Sequence, residues 1–375
     1  MKQIIYADNA ATTKLDIEAF EAMKPFLLDD YSNASQPYSF SRGAKKALKE
    51  ARQTIAACIN ADPDEIFFTS GGSESDNWAI KGVAYNGAQG AIITSEIEHH
   101  AVLRACEEVE RNGIAVAYVK PNSEGVICSE TLQNYITDNT KMVSIMFVNN
   151  EIGTIEPIKE LAEIAHKHGA VFHTDAVQAV GHIHIDVKEL GVDMLSASAH
   201  KFNGPKGVGF LYIKKGTNIK SLINGGLQEF GHRAGTENIA AIVGMAKALK
   251  NNCDSITENN KHLKVLEEQL LTGLKSLDFK RNGSKNHING IISLSFPKQE
   301  GETILHRLDL MGIMVSTGSA CDSVNTQISH VLNAIDVEEI YAKGTIRISF
   351  GKYNTIEEVK IIVNALVKVL AGGEV

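Results

Sequence analysis

Lys201 sits in Ser196-Ala-Ser-Ala-His-Lys201-Phe-Asn-Gly-Pro-Lys-Gly207, between the apolar runs Val192 to Leu195 and Val208 to Ile213. A lysine where a strand hands over to a glycine-rich turn can be partly stripped of water, which lowers its pKa and frees its amine to condense with an aldehyde. In Ala170-Val-Phe-His-Thr-Asp175-Ala-Val-Gln178 a short apolar strand ends on a carboxylate, at the edge where open α/β sheets place their ligands. In Glu65-Ile-Phe-Phe-Thr-Ser-Gly71-Gly72-Ser73-Glu-Ser-Asp-Asn77 an apolar strand passes through a Gly-Gly turn into a helix start. Free backbone N–H groups, the positive dipole end and the Ser73 hydroxyl there can hold a phosphate.

An amine for an aldehyde, a carboxylate for a ring nitrogen and a phosphate cradle are together what pyridoxal 5'-phosphate (PLP) asks of a protein. The protonated ring is the electron sink for a carbanion at the substrate α-carbon. Each segment alone also has a plain structural reading: a solvated lysine, an aspartate capping a turn, an ordinary N-cap. Neither the Walker lysine spacing nor Gly-x-Gly-x-x-Gly is present, which disfavours a dinucleotide-dependent oxidoreductase.

Further segments follow in a fixed order: Glu98-His99-His100-Ala-Val, Val148-Asn-Asn-Glu-Ile-Gly153, His173-Thr-Asp-Ala-Val-Gln178, Ser198-Ala-His-Lys201, Arg233-Ala-Gly-Thr-Glu-Asn238 and Ser316-Thr-Gly-Ser-Ala-Cys321. With them the chain, from about Tyr6 to about Thr355, resembles the PLP-dependent cysteine desulfurases of the NifS/IscS type, in the class V aminotransferase-like group of fold-type I enzymes. The resemblance implies that Lys201 anchors the cofactor and moves the substrate α-proton, that Asp175 pairs with the ring nitrogen, and that Gln178 and Asn150 hold the ring hydroxyl. It assigns the phosphate to Gly72, Ser73, Ser198 and His200, with Thr236 reaching it from the neighbouring subunit of a homodimer. It stacks His99 on the ring to exchange protons with substrate, a role suited to the one side chain whose unperturbed pKa lies near neutrality.

Arg347, in the alternating strand Gly344-Thr-Ile-Arg-Ile-Ser-Phe350, needs a partner among apolar neighbours, and the substrate α-carboxylate can supply one with bidentate geometry. A surface-facing arginine on a half-exposed strand is the alternative. Asn33, in Tyr31-Ser-Asn-Ala-Ser-Gln-Pro-Tyr-Ser-Phe40, matches the family's substrate-side asparagine, although Tyr38 stands where many relatives carry histidine. Cys321 lies in a stretch of small and polar residues reaching to Ser329 and His330 that reads as a loop, where a thiol can ionise and attack. Ile328 takes the place of an expected proline before Ser-His. The implied reaction turns L-cysteine into L-alanine and leaves the sulfur on Cys321 as a persulfide. A sulfur-acceptor protein then receives it, for iron–sulfur cluster assembly or thiolation. A selenocysteine lyase or a small-substrate PLP aminotransferase on the same fold remains open but leaves the Cys321 loop without a purpose, and the near-complete set of cofactor residues argues against a non-catalytic sulfur-relay or scaffold protein.

At 375 residues the chain is long for one compact unit. The implied fold is α/β: a large, mostly parallel seven-stranded sheet domain over 16–254, plus a smaller α+β domain from 1–15 and 255–375 that carries the cysteine loop. Helical patterns near 16–30, 40–60, 74–85, 99–112 and 158–168 alternate with strands near 65–69, 90–95, 114–119, 142–148, 170–174 and 193–197. The family fold adds an antiparallel strand near 207–213. A long polar helix at 256–276, strands at 290–296 and 345–350, and a last helix at 356–371 complete the reading. A net charge of −8 argues against a general nucleic-acid or membrane-surface binder. Five scattered cysteines, Cys58, Cys106, Cys128, Cys253 and Cys321, form no Cys-x-x-Cys pair. That indicates neither a disulfide framework nor a metal site, and points to a reducing cytoplasm. No apolar stretch is long enough for a signal peptide or a membrane span.

Overall fold

Apolar runs of four or five residues, each closed by a polar turn, become the strands of this chain. The computed structural model describes residues 4–87, 90–318 and 328–371. In chain order the strands are β1 (Ile5–Tyr6), β2 (Ile66–Thr69), β3 (Ala91–Ser95), β4 (Val116–Val119), β5 (Thr140–Ser144) and β6 (Val171–Asp175). They continue with β7 (Met194–Ser198), β8 (Gly209–Ile213), β9 (Lys280–Asn282), β10 (Ile291–Ser295), β11 (Ile313–Met314) and β12 (Thr345–Ser349). Seven of them form one sheet in the order β2-β8-β7-β6-β5-β3-β4. Only β8 runs against the rest. Strands β2, β7 and β8 are buried throughout, as strands covered on both faces must be.

Because β2, β6 and β7 run the same way, the Gly71-Gly72 turn, Asp175 and the Ser198–Lys201 turn all emerge at one edge of the sheet. The register sets Asp175 beside Ser196 and Ser144 beside His173. Helix Gly72–Ala84 packs on β7 and β8 and buries Trp78, whose indole donates to the Lys220 carbonyl at 3.1 Å.

The remaining strands make a three-stranded antiparallel sheet, β12-β10-β9, and a parallel pair, β1-β11. Ile5 and Ala7 share an apolar cluster with residues from Leu263 to Val369, so the start of the chain packs among its last third. The closing helix Ile356–Leu370 begins at a capping box in which Thr355 and Glu358 exchange backbone and side-chain hydrogen bonds.

Helices Ser129–Tyr135 and Gly301–Leu310 and strand β9 were not expected from the sequence, and two further departures bear on the packing around the sheet edge. The strand expected at 142–148 is β5, which ends at Ser144. Beyond it the Met146 N–H is taken by the Glu98 carboxylate at 2.9 Å, so a side chain replaces β3 as the partner on that edge. Helix Ile239–Asp254 was not expected at all. It is wedged against helices Ile17–Leu28 and Arg42–Cys58 and buried around much of its girth, so it lacks the one-sided apolar stripe that marks a surface helix. Gly244 makes that wedge possible, since a Cβ there would fall 2.6 Å from Met23 Cγ. Among the described residues no helix is long and apolar enough to cross a membrane.

Candidate active site

A cavity of about 490 Å³ opens at the sheet edge. Its walls gather Gly72, Ser73, Ser198 and His200 with Lys201, Asp175 and Gln178, and further round His99, Asn150 and Arg347. Sequence reasoning thus pointed to residues from six separate segments that the fold brings to one place. Asn33 and Thr236 do not line it. Asn33 folds into an Asx turn, its Oδ1 accepting the Ser35 N–H at 2.8 Å. Thr236 lines a separate cavity of about 140 Å³ that shares Ser70 and Gly207 with the larger one. Cys321 lies outside the described residues.

The turn expected to cradle a phosphate is built by glycine at two points. Gly71 has φ of +147°, a conformation glycine adopts readily. A Cβ at Gly72 would lie 2.7 Å from Val177 Cγ2, so the helix N-terminus closes on the turn after Asp175 only because no side chain intervenes. No side chain caps helix Gly72–Ala84, and its first residues line the cavity. Uncapped N–H groups at the positive end of a thirteen-residue helix suit an anionic phosphate.

Asp175 is buried, with Oδ1 accepting the Val177 N–H at 2.9 Å. Burial pushes its carboxyl up to about 6, against the Val177 hydrogen bond and the Lys201 charge, which both lower it. A ring nitrogen carrying a proton would satisfy that buried charge, so the donor set fits PLP. Lys201 Nζ reaches the carbonyl oxygens of Ala10 and Ala11, the latter at 3.0 Å. The Gln178 amide donates to the Ala10 carbonyl at 2.9 Å. The stretch Ala10-Ala-Thr12 is therefore a wall of the site that sequence reasoning missed. Its signal was a run of small residues directly after a strand, which lets backbone carbonyls come close.

Two expectations are corrected. A near-neutral pKa was part of the case for His99, but burial first, then the Lys201 ammonium, push its imidazole down to about 4. His99 caps helix His100–Arg111, its Nδ1 accepting the Ala101 N–H at 3.1 Å, so a neutral ring with its proton on Nε2 stands at the cavity wall. His200 is held down to about 4 by the same two causes, with Nδ1 3.2 Å from Thr12 Oγ1. Arg347 does need a partner, being 3% exposed, but the chain supplies one. Nη2 pairs with Asp8 Oδ1 at 2.8 Å and Nη1 donates to the Asn150 carbonyl at 2.9 Å, whereas buried Nε has no partner among the described residues.

Behind Asp175 lies a buried polar layer. His173 bridges Ser144 Oγ at 2.8 Å and Ser196 Oγ at 2.9 Å, and Asp76 Oδ1 stands 3.7 Å from His173 Nε2. Burial, then the Asp175 charge, raise the Asp76 carboxyl well above the carboxylate range. Burial also pushes Glu98 and Glu156 up to about 8 from an ordinary 4.5. Between those values the folded protein keeps protons that the unfolded chain has released, so stability falls as pH rises through the window. The depressed histidines act the opposite way, but only below their ordinary 6.5. Melting of the cofactor-free protein is therefore expected to move to lower temperature from pH 6.5 to pH 8, with each linked carboxyl contributing up to about 1.4 kcal/mol per pH unit. Glu156→Gln should flatten the dependence; a native Tm that is level or rising over that range would contradict the assignment.

The aminotransferase class-V profile matches residues 5–362. The chain is 47% identical over 377 aligned residues to cysteine desulfurase IscS of Clostridium botulinum, covering 99% of this chain and 95% of that protein. It is 48% identical over 375 to cysteine desulfurase IscS of Dictyoglomus turgidum, with the same coverage. A solved NifS-like protein superposes with a TM-score of 0.93 at 38% identity, over 99% of this chain and all of that one. SspA, solved in complex with cysteine, gives 0.84 at 35% identity over 95% and 100%. Agreement of this depth, end to end along the chain, places it in the class-V aminotransferase family, among the PLP-dependent cysteine desulfurases.

Proposed function

We propose that in this cysteine desulfurase a fixed amine, Lys201, and a loop thiol, Cys321, divide the chemistry between them. The enzyme takes sulfur from L-cysteine and releases L-alanine. Bound PLP supplies an electron sink that stabilises negative charge at the substrate α-carbon and weakens the bond from Cβ to sulfur. Lys201 anchors the cofactor and carries the α-proton. Asp175 holds the ring nitrogen charged, Gln178 and Asn150 hold the ring hydroxyl, and Gly72, Ser73, Ser198 and His200 hold the phosphate. Thr236 of a neighbouring subunit completes the cradle in a homodimer. The neutral His99 ring stacks over the cofactor and offers its Nε2 proton. Arg347 binds the substrate carboxylate, and Asn33 helps orient the substrate.

The Cys321 thiolate attacks the substrate sulfur. A sulfur–sulfur bond forms as the Cβ–S bond breaks, the electron pair stays with Cβ, and a proton converts that carbon to the methyl group of alanine. The persulfide then passes to an acceptor protein in the cytoplasm, for iron–sulfur cluster assembly or thiolation. In this reading 16–254 is the cofactor domain, and 1–15 with 255–375 carry the thiol. What supports it most is that the amine, the buried carboxylate and the uncapped helix end open into one cavity.

The test is exposure of the cofactor-loaded protein to L-cysteine alone. Alanine should appear in step with transferred sulfur, and the peptide containing Cys321 should gain the mass of one sulfur atom. An aminotransferase would stay silent until a 2-oxo acid was added and would release no sulfur, and that result would overturn the reading.

A further inference from the structure

The turn that presents Lys201 is too short to hold itself. After the single helical turn Ala199–Lys201 the chain bends away from helix, with Asn203 at φ of +62°, so the backbone carbonyls there need partners from elsewhere. Four in succession have one. The His200 carbonyl accepts the Thr13 N–H at 2.9 Å and the Thr13 hydroxyl at 2.8 Å, and the Asn203 carbonyl accepts the Asp16 N–H at 2.9 Å. The Phe202 carbonyl accepts the Asn252 amide at 2.7 Å, and the Lys201 carbonyl accepts from His182 Nε2 at 2.9 Å. A carbonyl oxygen can only accept, so the His182 ring carries a proton on Nε2.

His182 stands on the segment that follows β6, the same one that carries Asp175 and Gln178. Its backbone is fixed on both sides: the N–H donates to the Ala179 carbonyl at 3.0 Å, and the carbonyl accepts the Asn260 amide at 3.0 Å from helix Ile256–Gly273. Gly181 lets this segment close on the lysine turn, since it has φ of +79° and a Cβ there would lie 2.9 Å from Phe202 Cβ. The Gln178 amide and Lys201 Nζ also meet on one carbonyl, that of Ala10. Lys201 is thus tied to the Asp175 segment twice, by its backbone through His182 and by its amine through Ala10.

We infer that His182 is a positioning residue for the α-proton step: by holding the Lys201 carbonyl it fixes the lysine backbone relative to Asp175. The amine and the carboxylate are assigned to two ends of one rigid ring, so slack between them misplaces the amine over the substrate α-carbon. The Lys201 carbonyl and the Phe202 N–H belong to one planar peptide unit, and that N–H donates to the Ala199 carbonyl at 3.1 Å. Releasing the carbonyl therefore also loosens the hydrogen bond that closes the helical turn.

This inference rests on the reading of Lys201 as the cofactor-bearing amine, and its test separates the two. The cofactor-loaded variants are His182→Leu, which removes the donor, His182→Asn, whose amide falls short of the carbonyl, and His182→Gln, whose amide matches the reach of Nε2. Two quantities are read. Backbone hydrogen exchange over 199–204 reports the turn itself, without turnover. Exchange of the L-alanine α-hydrogen for deuterium in heavy water, followed by mass, reports the proton step without calling on Cys321. In the leucine and asparagine variants exchange over 199–204 should quicken about tenfold or more, while that of strand β10 stays native. Alanine exchange at saturation should slow about tenfold or more, since misplacing a reacting group by about 1 Å can cost that much, with half-saturation within about twofold. Glutamine should restore most of both. If the leucine variant folds poorly, the asparagine and glutamine pair carries the test, being the same amide at two lengths. Native values in the variants without the donor, a glutamine variant no better than asparagine, or parallel loss of binding and exchange would overturn the inference and leave the Lys201 reading standing. A native enzyme whose cofactor borohydride fixes to a lysine other than Lys201 would sink both.

Discussion

Replacing Lys201 with alanine is expected to abolish alanine formation, by about a thousandfold or more, the upper part of the range for loss of a positioned acid–base group. In the proposed mechanism two jobs fall on one amine: bonding covalently to the cofactor aldehyde, and taking a proton from the substrate α-carbon and returning it elsewhere. The variant keeps the rest of the cradle: the helix end at Gly72, the buried Asp175 and the Ser198 turn do not depend on the lysine for their backbone conformation. It should therefore still bind PLP, more weakly and reversibly. Lys201 also lowers the pKa values of His99, His200 and Asp175 through its charge, so on that account its removal lets the two histidines rise toward their ordinary value and pushes the already raised Asp175 carboxyl farther up. Borohydride treatment and digestion distinguish the two proteins, fixing the cofactor to Lys201 in the native enzyme and to no residue in the variant. Retention of even a tenth of native turnover, or a cofactor fixed at another lysine, would refute the role.

The sequence was most informative where function restricts residue type over a short span. Gly71-Gly72-Ser73, Asp175 to Gln178 and Ser198 to Lys201 each sit on one strand-to-helix or strand-to-turn junction, and a parallel sheet must bring such junctions to a common edge. What local pattern could not supply was the pairing of distant segments. Asp8 meets Arg347 across nearly the full length of the chain, and nothing near either residue announces the other. The Ala10 and Ala11 carbonyls matter for backbone they expose, not for side chains. The pKa of His99 was misjudged for a related reason, since burial and the Lys201 charge are properties of the assembled cavity. Helix Ile239–Asp254 was hidden because contact on several sides erases the one-sided apolar stripe.

Desolvation recurs in the walls of this site, and its sign depends on the group. It raises the Asp175 and Asp76 carboxyls and depresses His99, His173 and His200. Without cofactor the cavity therefore holds neutral imidazoles beside carboxyls reluctant to ionise. A cationic ring nitrogen would reverse the balance at Asp175, because it would add a charge and a hydrogen bond to those that Lys201 and Val177 already supply. Selectivity for a protonated heterocycle thus follows from the same burial that makes the free site unfavourable for charge.

Cys321→Ala is expected to separate cofactor chemistry from sulfur chemistry. PLP binding and the absorbance response to L-cysteine should survive, because no group assigned to the cofactor is altered. Sulfur release in the presence of dithiothreitol should fall by about a hundredfold or more, since a tethered nucleophile enjoys an effective concentration that a dissolved thiol cannot match. The other cysteines offer no substitute. None of Cys58, Cys106, Cys128 or Cys253 lines the cavity, and burial pushes the Cys106 thiol up to about 12, leaving almost no thiolate near neutrality. Cys321→Ser tests the atom itself: a hydroxyl at the same tether cannot form the sulfur–sulfur bond, so it should fail as completely as alanine. If either variant transferred sulfur at the native rate, the thiol would have to come from elsewhere in the chain or from solution, and the proposed division between a fixed amine and a tethered thiol would fall.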